Sequence, residues 1–130
     1  MNGCSGITKC ALTHEEIYSV LYHEAQADAY ISYLRGKRCC TETDFLLEVA
    51  ASFQFPYYYG ENWAAFDECI QDLDWLKFSR IFVVFDDFSE SFSGQGDLQE
   101  RLQSRVIKYF GEASDYWKSE GKTMEIWFNN

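Results

Sequence analysis

Acidic and phenolic side chains crowd one short stretch of the chain, FQFPYYYGENWAAFDECIQDLDWL, residues 53–76. Tyr57, Tyr58 and Tyr59 precede Gly60, and Glu61, Asp67, Glu68, Asp72 and Asp74 follow with no Lys or Arg among them. Two chemistries use such a set. Paired carboxylates beside an aromatic platform can cleave a glycosidic bond, provided that a buried setting holds one of them protonated. Carboxylates offered to solvent can instead engage a basic partner, with tyrosines supplying large, amphipathic contact area. No Ser/His/Asp or Cys/His arrangement is legible: both histidines, His14 and His23, lie near the N-terminus, and Cys69 sits among apolar positions.

The helical period separates the two characters of the stretch. At about 100° per residue, Trp63, Phe66, Cys69, Ile70 and Leu73 gather on one side and Glu61, Glu68 and Asp72 on the other. Ala64, Asp67, Gln71 and Asp74 follow one flank of the polar side. The acids therefore face out, where nothing raises a carboxyl pKa for acid catalysis. A solvated face is the bland explanation of such a run. Against it, no base within the segment forms compensating i,i+4 pairs, so the acids repel one another, and a tyrosine loop adjoins the helix N-terminus. One of the three tyrosines is expected to belong to the core.

The elements that must position this helix follow from caps and periodicity. Residues 1–12 are small and polar and are expected to be ill-ordered. Thr13 and Glu16 form a capping box for a helix running to about residue 26, with Ile17, Val20, Leu21 and Ala25 as its stripe. AYISYL (29–34) reads as a strand. Thr41 or Thr43 caps the next helix, whose Phe45, Leu46, Val49, Ala50 and Phe53 recur at helical spacing and which Pro56 ends. The acidic helix starts near Asn62. IFVVF (81–85) suits a strand covered on both faces. Asp97 and Glu100 resemble a second capping box before a long helix bearing Leu98, Leu102, Val106, Tyr109, Phe110, Ala113 and Trp117. Gly121 ends that helix, and TMEIWF (123–128) is the last strand. Alternation of strands and helices predicts an α/β fold with a small parallel sheet. Residues 1–27 read as an N-terminal extension with one helix, and 28–130 as the domain proper.

Composition narrows the function. The 130 residues carry 11 Lys and Arg against 21 Asp and Glu, a formal charge of -10. Phosphate affinity comes from basic side chains, so a nucleic-acid-binding role is disfavoured, as is docking on anionic lipid; a basic protein is the natural complement. No apolar run is long enough to span a membrane, and the N-terminus lacks the pattern of a secretory leader. Five cysteines, Cys4, Cys10, Cys39, Cys40 and Cys69, with no CxxC pair, suggest free thiols in a reducing cytoplasm and argue against a zinc site. No cofactor is implied.

The motif FP-x-YYGENW-x-A-x-x-x-C-I, preceded by a capped helix and by a strand ending in Leu34-x-Gly36, resembles the barstar family. Barstars are small bacterial inhibitors that neutralise secreted ribonucleases of the barnase type. The resemblance covers roughly residues 28–128 and implies a three-stranded parallel sheet packed by helices, to which this chain adds an N-terminal helix. It also implies a plugging mechanism, in which the loop and the second helix enter the ribonuclease active site and a carboxylate stands in for the substrate phosphate. By position, Tyr58 and Tyr59 match the family's paired tyrosines, and Gly60 and Asn62 its loop. Glu68 matches the phosphate-mimicking Asp, one methylene longer here. Asp67 falls where Trp is frequent, Ala64 where another interface Asp is common, and Glu120 at an acidic position near the interface. Asp67, Gln71 and Asp72 can supply contacts that Ala64 has lost, so the acid-for-phosphate tactic is kept toward a partner other than barnase.

The reading is therefore a cytoplasmic immunity protein or antitoxin and not an enzyme. It is expected as a monomer or in a 1:1 complex with a basic nuclease toxin. Its expected binding set is Tyr58, Tyr59, Gly60, Asn62, Ala64, Asp67, Glu68, Gln71, Asp72 and Glu120. The alternative is an acidic module that binds a non-nuclease protein through the same surface.

Overall fold

The computed structural model describes residues 6–25 and 28–130. The elements run β1 (Ile7–Cys10), α1 (His14–Ala25), β2 (Tyr30–Arg35), α2 (Glu42–Phe53), α3 (Trp63–Asp72), β3 (Arg80–Asp86), α4 (Gln99–Ser119) and β4 (Thr123–Asn129), with short 3-10 turns between several of them. The strands form one sheet in the order β1-β4-β3-β2, with every pair parallel.

The sheet thus has four strands, not three, and this corrects the sequence expectation. Residues 6–12, expected to be ill-ordered, supply β1, which pairs with β4 from Ile7 opposite Ile126 to Cys10 opposite Asn129; the expectation for residues 1–5 lies outside the described residues. The strand escapes a periodicity reading for a physical reason. Its middle residues, Thr8 and Lys9, are exposed and only its ends are half-buried, so its pairing rests on the free edge of β4 and not on an apolar pattern. Gly6 makes the approach possible. It lies at φ 86°, and a Cβ there would fall 2.2 Å from Ser114 Oγ and 2.8 Å from the Met124 carbonyl, so only glycine fits.

The inner strand β3 is buried on both sides, as its unbroken apolar run predicts. Ile81, Val83 and Phe85 join α2, α3 and α4 in the larger core, centred on Phe45, Phe66, Phe110 and Phe128. Phe82 and Val84 face the other way, where Ile17 of α1 is buried against them and Val20, Leu21, Ile31, Tyr33 and Trp127 surround the contact. Ala25, expected on this stripe, is exposed.

The Thr13/Glu16 box is formed, with Thr13 N–H donating to Glu16 Oε1 (2.9 Å) and Glu16 N–H to Thr13 Oγ1 (3.1 Å). Thr41 accepts from the Asp44 N–H and caps α2. The expected Asp97/Glu100 box is absent: α4 starts one residue later, with Leu98 as an uncapped and exposed N-cap. Residues 93–98 coil as a 3-10 segment interrupted at Gly96. The Gln99 and Gln103 amides instead donate to the Ser91 carbonyl (2.9 and 3.1 Å) and hold that loop against the helix. Among the described residues, no helix is long and apolar enough to cross a membrane.

Candidate functional site

Three tryptophans fix the acidic helix by donating to backbone or side-chain oxygens. Trp63 Nε1 donates to Glu42 Oε1 (2.7 Å), tying the start of α3 to the start of α2. Trp75 Nε1 donates to the Phe53 carbonyl (2.9 Å), one of the orphan acceptors at the end of α2. Trp117 Nε1 donates to the Gln71 carbonyl (3.1 Å), which does the same for α3. At its other end Asn62 is the N-cap, its Oδ1 accepting from the Ala65 N–H (2.8 Å). Phe66, Cys69 and Ile70 are buried below. The separation of apolar and acidic sides is thus realised: Glu61, Glu68, Asp72 and Asp74 are exposed and Asp67 is half-buried.

The tyrosine loop is divided. Tyr57 is fully exposed, and Tyr58 is 69% exposed and pairs with it edge to face at 5.8 Å. Tyr59 turns inward and packs on Phe55 at 4.8 Å, so it is the tyrosine that belongs partly to the core. Its hydroxyl is shut off from solvent with no hydrogen-bond partner among the described residues. Burial first, then the neighbouring Cys69 and Glu61, push its pKa well up. Gly60 and Asn62 are joined by a bond from Asn62 Nδ2 to the Gly60 carbonyl (3.2 Å), which shapes the entry to α3.

Among the candidate residues the structure brings together two groups. Gln71 Nε2 donates to Asp67 Oδ1 across one helical turn (3.2 Å). Gln71, Asp72 and Glu120 meet in a cleft of about 250 Å³ between α3 and the end of α4, with Asp74, Tyr116, Trp117 and Lys122 completing its wall. Glu120 reaches it as the C-cap residue of α4. Tyr58 turns to Tyr57 and not to this cleft, while Ala64 and Glu68 lie exposed on α3.

Tyr116 and Lys122 were missed by sequence reasoning. Tyr116 had a usable signal, since it lies four residues before Glu120 on one helix; Lys122, in the turn after Gly121, had none.

The electrostatics are those of unneutralised acids. Among the described residues, Glu61, Asp67, Glu68, Asp72, Asp74 and Glu120 make no ion pair, while Glu24, Glu48 and Glu125 elsewhere do. The Asp72 pKa is raised, by desolvation first and then by the negative charges of Asp74 and Glu68. Arg105 lies over the Trp63 ring (5.2 Å) and Lys122 over Trp117 (5.2 Å), so the nearby cations are engaged on aromatic faces. Burial, then Glu68 and Asp72, push the Cys69 thiol up, which suits a core residue and not a nucleophile. The four described cysteines are free.

Such a surface can attract and hold cations. Among curated proteins, none matches the chain. A family model described as "Barstar (barnase inhibitor)" matches residues 29–129, from the residue before β2 to the end of β4. That match spans most of the 130 residues, and the chain belongs to the barstar family.

Proposed function

We propose that the protein inhibits a basic nuclease, most directly a ribonuclease, by seating the acidic side of α3 in the enzyme's phosphate-binding cleft. The observation that carries this reading is the set of Glu61, Asp67, Glu68, Asp72, Asp74 and Glu120, acids held on a rigid, three-tryptophan mount without a single ion pair among the described residues. Leaving charges uncompensated costs folding stability and favours association with a cationic partner. Glu68 acts as the phosphate mimic, Asp67, Asp72 and Glu120 engage further basic side chains, and Tyr58 covers the rim. Gly60 and Asn62 shape the loop, and Ala64 leaves room for a partner side chain. The work is done in the cytoplasm, where the thiols stay reduced. We assign the inhibitory surface to residues 28–130 and read residues 1–27 as an extension of that domain, whose β1 and α1 pack on its sheet.

The test is inhibition of a basic ribonuclease by stoichiometric amounts of the protein. Full inhibition at 1:1 that weakens with added salt supports the reading. Unimpeded cleavage of RNA by every basic ribonuclease and of DNA by every basic deoxyribonuclease tried, together with capture of a non-nuclease partner through the same acids, would replace it with the interaction-module reading.

A further inference from the structure

At the C-terminal rim of the sheet, three ligand-type side chains converge. His14 is the first residue of α1, Asp86 the last of β3, and Asp87 follows it. His14 Nε2 lies 3.4 Å from Asp86 Oδ2 and 3.6 Å from Asp87 Oδ1, and the three donor atoms are within 4.8 Å of one another.

The carboxylates are held in place by the fold. Asp86 is 1% exposed. Tyr33 Oη donates to its Oδ2 (2.6 Å), while Asn129 Nδ2 (2.8 Å) and the Asp87 N–H (3.0 Å) donate to its Oδ1. Three donors thus face this carboxyl, the pattern of a carboxylate anion. One lone pair on Oδ2 remains beside the Tyr33 bond. Asp87 is fixed through its backbone: the Asp87 carbonyl oxygen sits 1.9 Å from where a Cβ on Gly36 would be, so the two chain segments touch directly.

Two anions side by side, one of them buried, require a compensating cation. Among the described residues neither carboxylate has a Lys or Arg within ion-pair distance; His14 is the basic group that faces them. Yet separations of 3.4 and 3.6 Å are longer than an N–H···O hydrogen bond. They match the edge of a ligand tetrahedron, roughly 3.3–3.6 Å for ligands at zinc distances of about 2.0–2.2 Å. One imidazole and two carboxylates with room for water is a ligand set suited to a divalent first-row metal. The place agrees with the general preference of parallel α/β sheets for ligands beyond the carboxyl ends of their strands.

We propose that His14, Asp86 and Asp87 bind one divalent transition-metal ion of the zinc class, which staples the start of α1 to the end of β3. The ion sits where the 10–14 segment is already clamped by Asn129, whose Oδ1 accepts from the Leu12 N–H (2.6 Å) and whose Nδ2 donates to the Leu12 carbonyl (3.1 Å). Its effect is on the attachment of the N-terminal segment, independent of the inhibitory surface on α3.

The experiment uses the full chain stripped with EDTA, titrated calorimetrically with zinc chloride and, separately, with cobalt chloride to read the ligand field. The expected result is one site per chain, a raised melting temperature, and a cobalt spectrum without a thiolate charge-transfer band. Since removing even a group that orients a ligand costs roughly 10–100-fold in affinity, His14→Ala and Asp87→Asn should each weaken binding by at least about 10-fold. Both side chains are solvent-accessible, so both variants should fold, which their circular dichroism checks. No metal-dependent heat or melting shift would overturn the proposal. So would binding retained in both variants, a thiolate band, or a stability loss in His14→Ala that is the same with and without zinc, the signature of a simple ion pair.

Discussion

Ile17→Ala tests whether the segment outside the family match is part of the folding unit. Ile17 is 1% exposed and is the residue of α1 that is buried against Phe82 and Val84. The substitution removes three carbon atoms, a transfer loss of about 2–2.5 kcal/mol at roughly 0.8 kcal/mol each. The cavity contribution should be small, because α1 has solvent on its outer side, where Tyr18 and Tyr22 are exposed, and the helix can settle inward. The total is therefore expected near the low end of Ile→Ala changes in cores, about 2–3 kcal/mol. For a chain of this size that lowers the melting temperature by roughly 7–11 °C. Urea unfolding followed by tryptophan fluorescence and circular dichroism gives the free energy, with the metal-free protein used throughout. A loss below about 0.5 kcal/mol, the level of an ordinary surface change, would refute the docking of α1 on the second face of the sheet. A loss in two separate steps would refute its folding as one unit with the rest.

Other consequences are open to similar measurement. Asp72→Asn should raise the melting temperature at pH 7. The folded-state pKa of Asp72 is raised, so its ionisation opposes folding at neutral pH; the opposition fades as pH falls through the folded value and is gone below the unfolded one, where wild type and variant should converge. A variant less stable at pH 7, or a gain that persists in acid, would contradict this. The same change should weaken partner binding, a trade of function for stability. Gly36→Ala should destabilise by about 1–3 kcal/mol or more through overlap with the Asp87 carbonyl; a neutral effect on urea unfolding would show that the turn has slack. Trp117→Phe leaves the Gln71 carbonyl without its donor and should cost about 1–3 kcal/mol, read by the same unfolding curve, with a shift below about 0.5 kcal/mol counting against the tryptophan mount.

What could be read from the chain, and what could not, follows the range of the interactions. The Thr13/Glu16 box, the Thr41 and Asn62 caps and the two-sided burial of Ile81–Phe85 rest on contacts within a turn or on an unbroken apolar run, and each is visible locally. β1 was hidden because four residues with two exposed at the centre carry no period, and the partner that makes them a strand lies more than 100 residues away at Ile126–Asn129. Asp97 and Glu100 satisfy a capping-box spacing, but the Gln99 and Gln103 contacts to Ser91 hold the preceding loop in another conformation. In the candidate site, α3 could be divided into sides by period alone. The inward turn of Tyr59 and the meeting of Asp72 with Glu120 depend on packing against Phe55 and α4. The convergence of His14 with Asp86 and Asp87 depends on parallel strands ending at a common rim, which no spacing within the chain expresses.

The central claim is that unpaired acids on α3 bind a basic nuclease cleft by charge. Calorimetric or surface-plasmon affinity of a basic ribonuclease for the wild-type protein and for Glu68→Gln combined with Asp72→Asn, at low and at physiological salt, tests it most directly. Loss of two central charges should weaken binding by about 30-fold or more, equivalent to roughly 2 kcal/mol. The association rate should fall, and it should lose much of its dependence on salt, whose screening length is about 8 Å at physiological strength. Affinity and salt dependence that survive the double substitution unchanged, in a variant with native circular dichroism, would contradict the account.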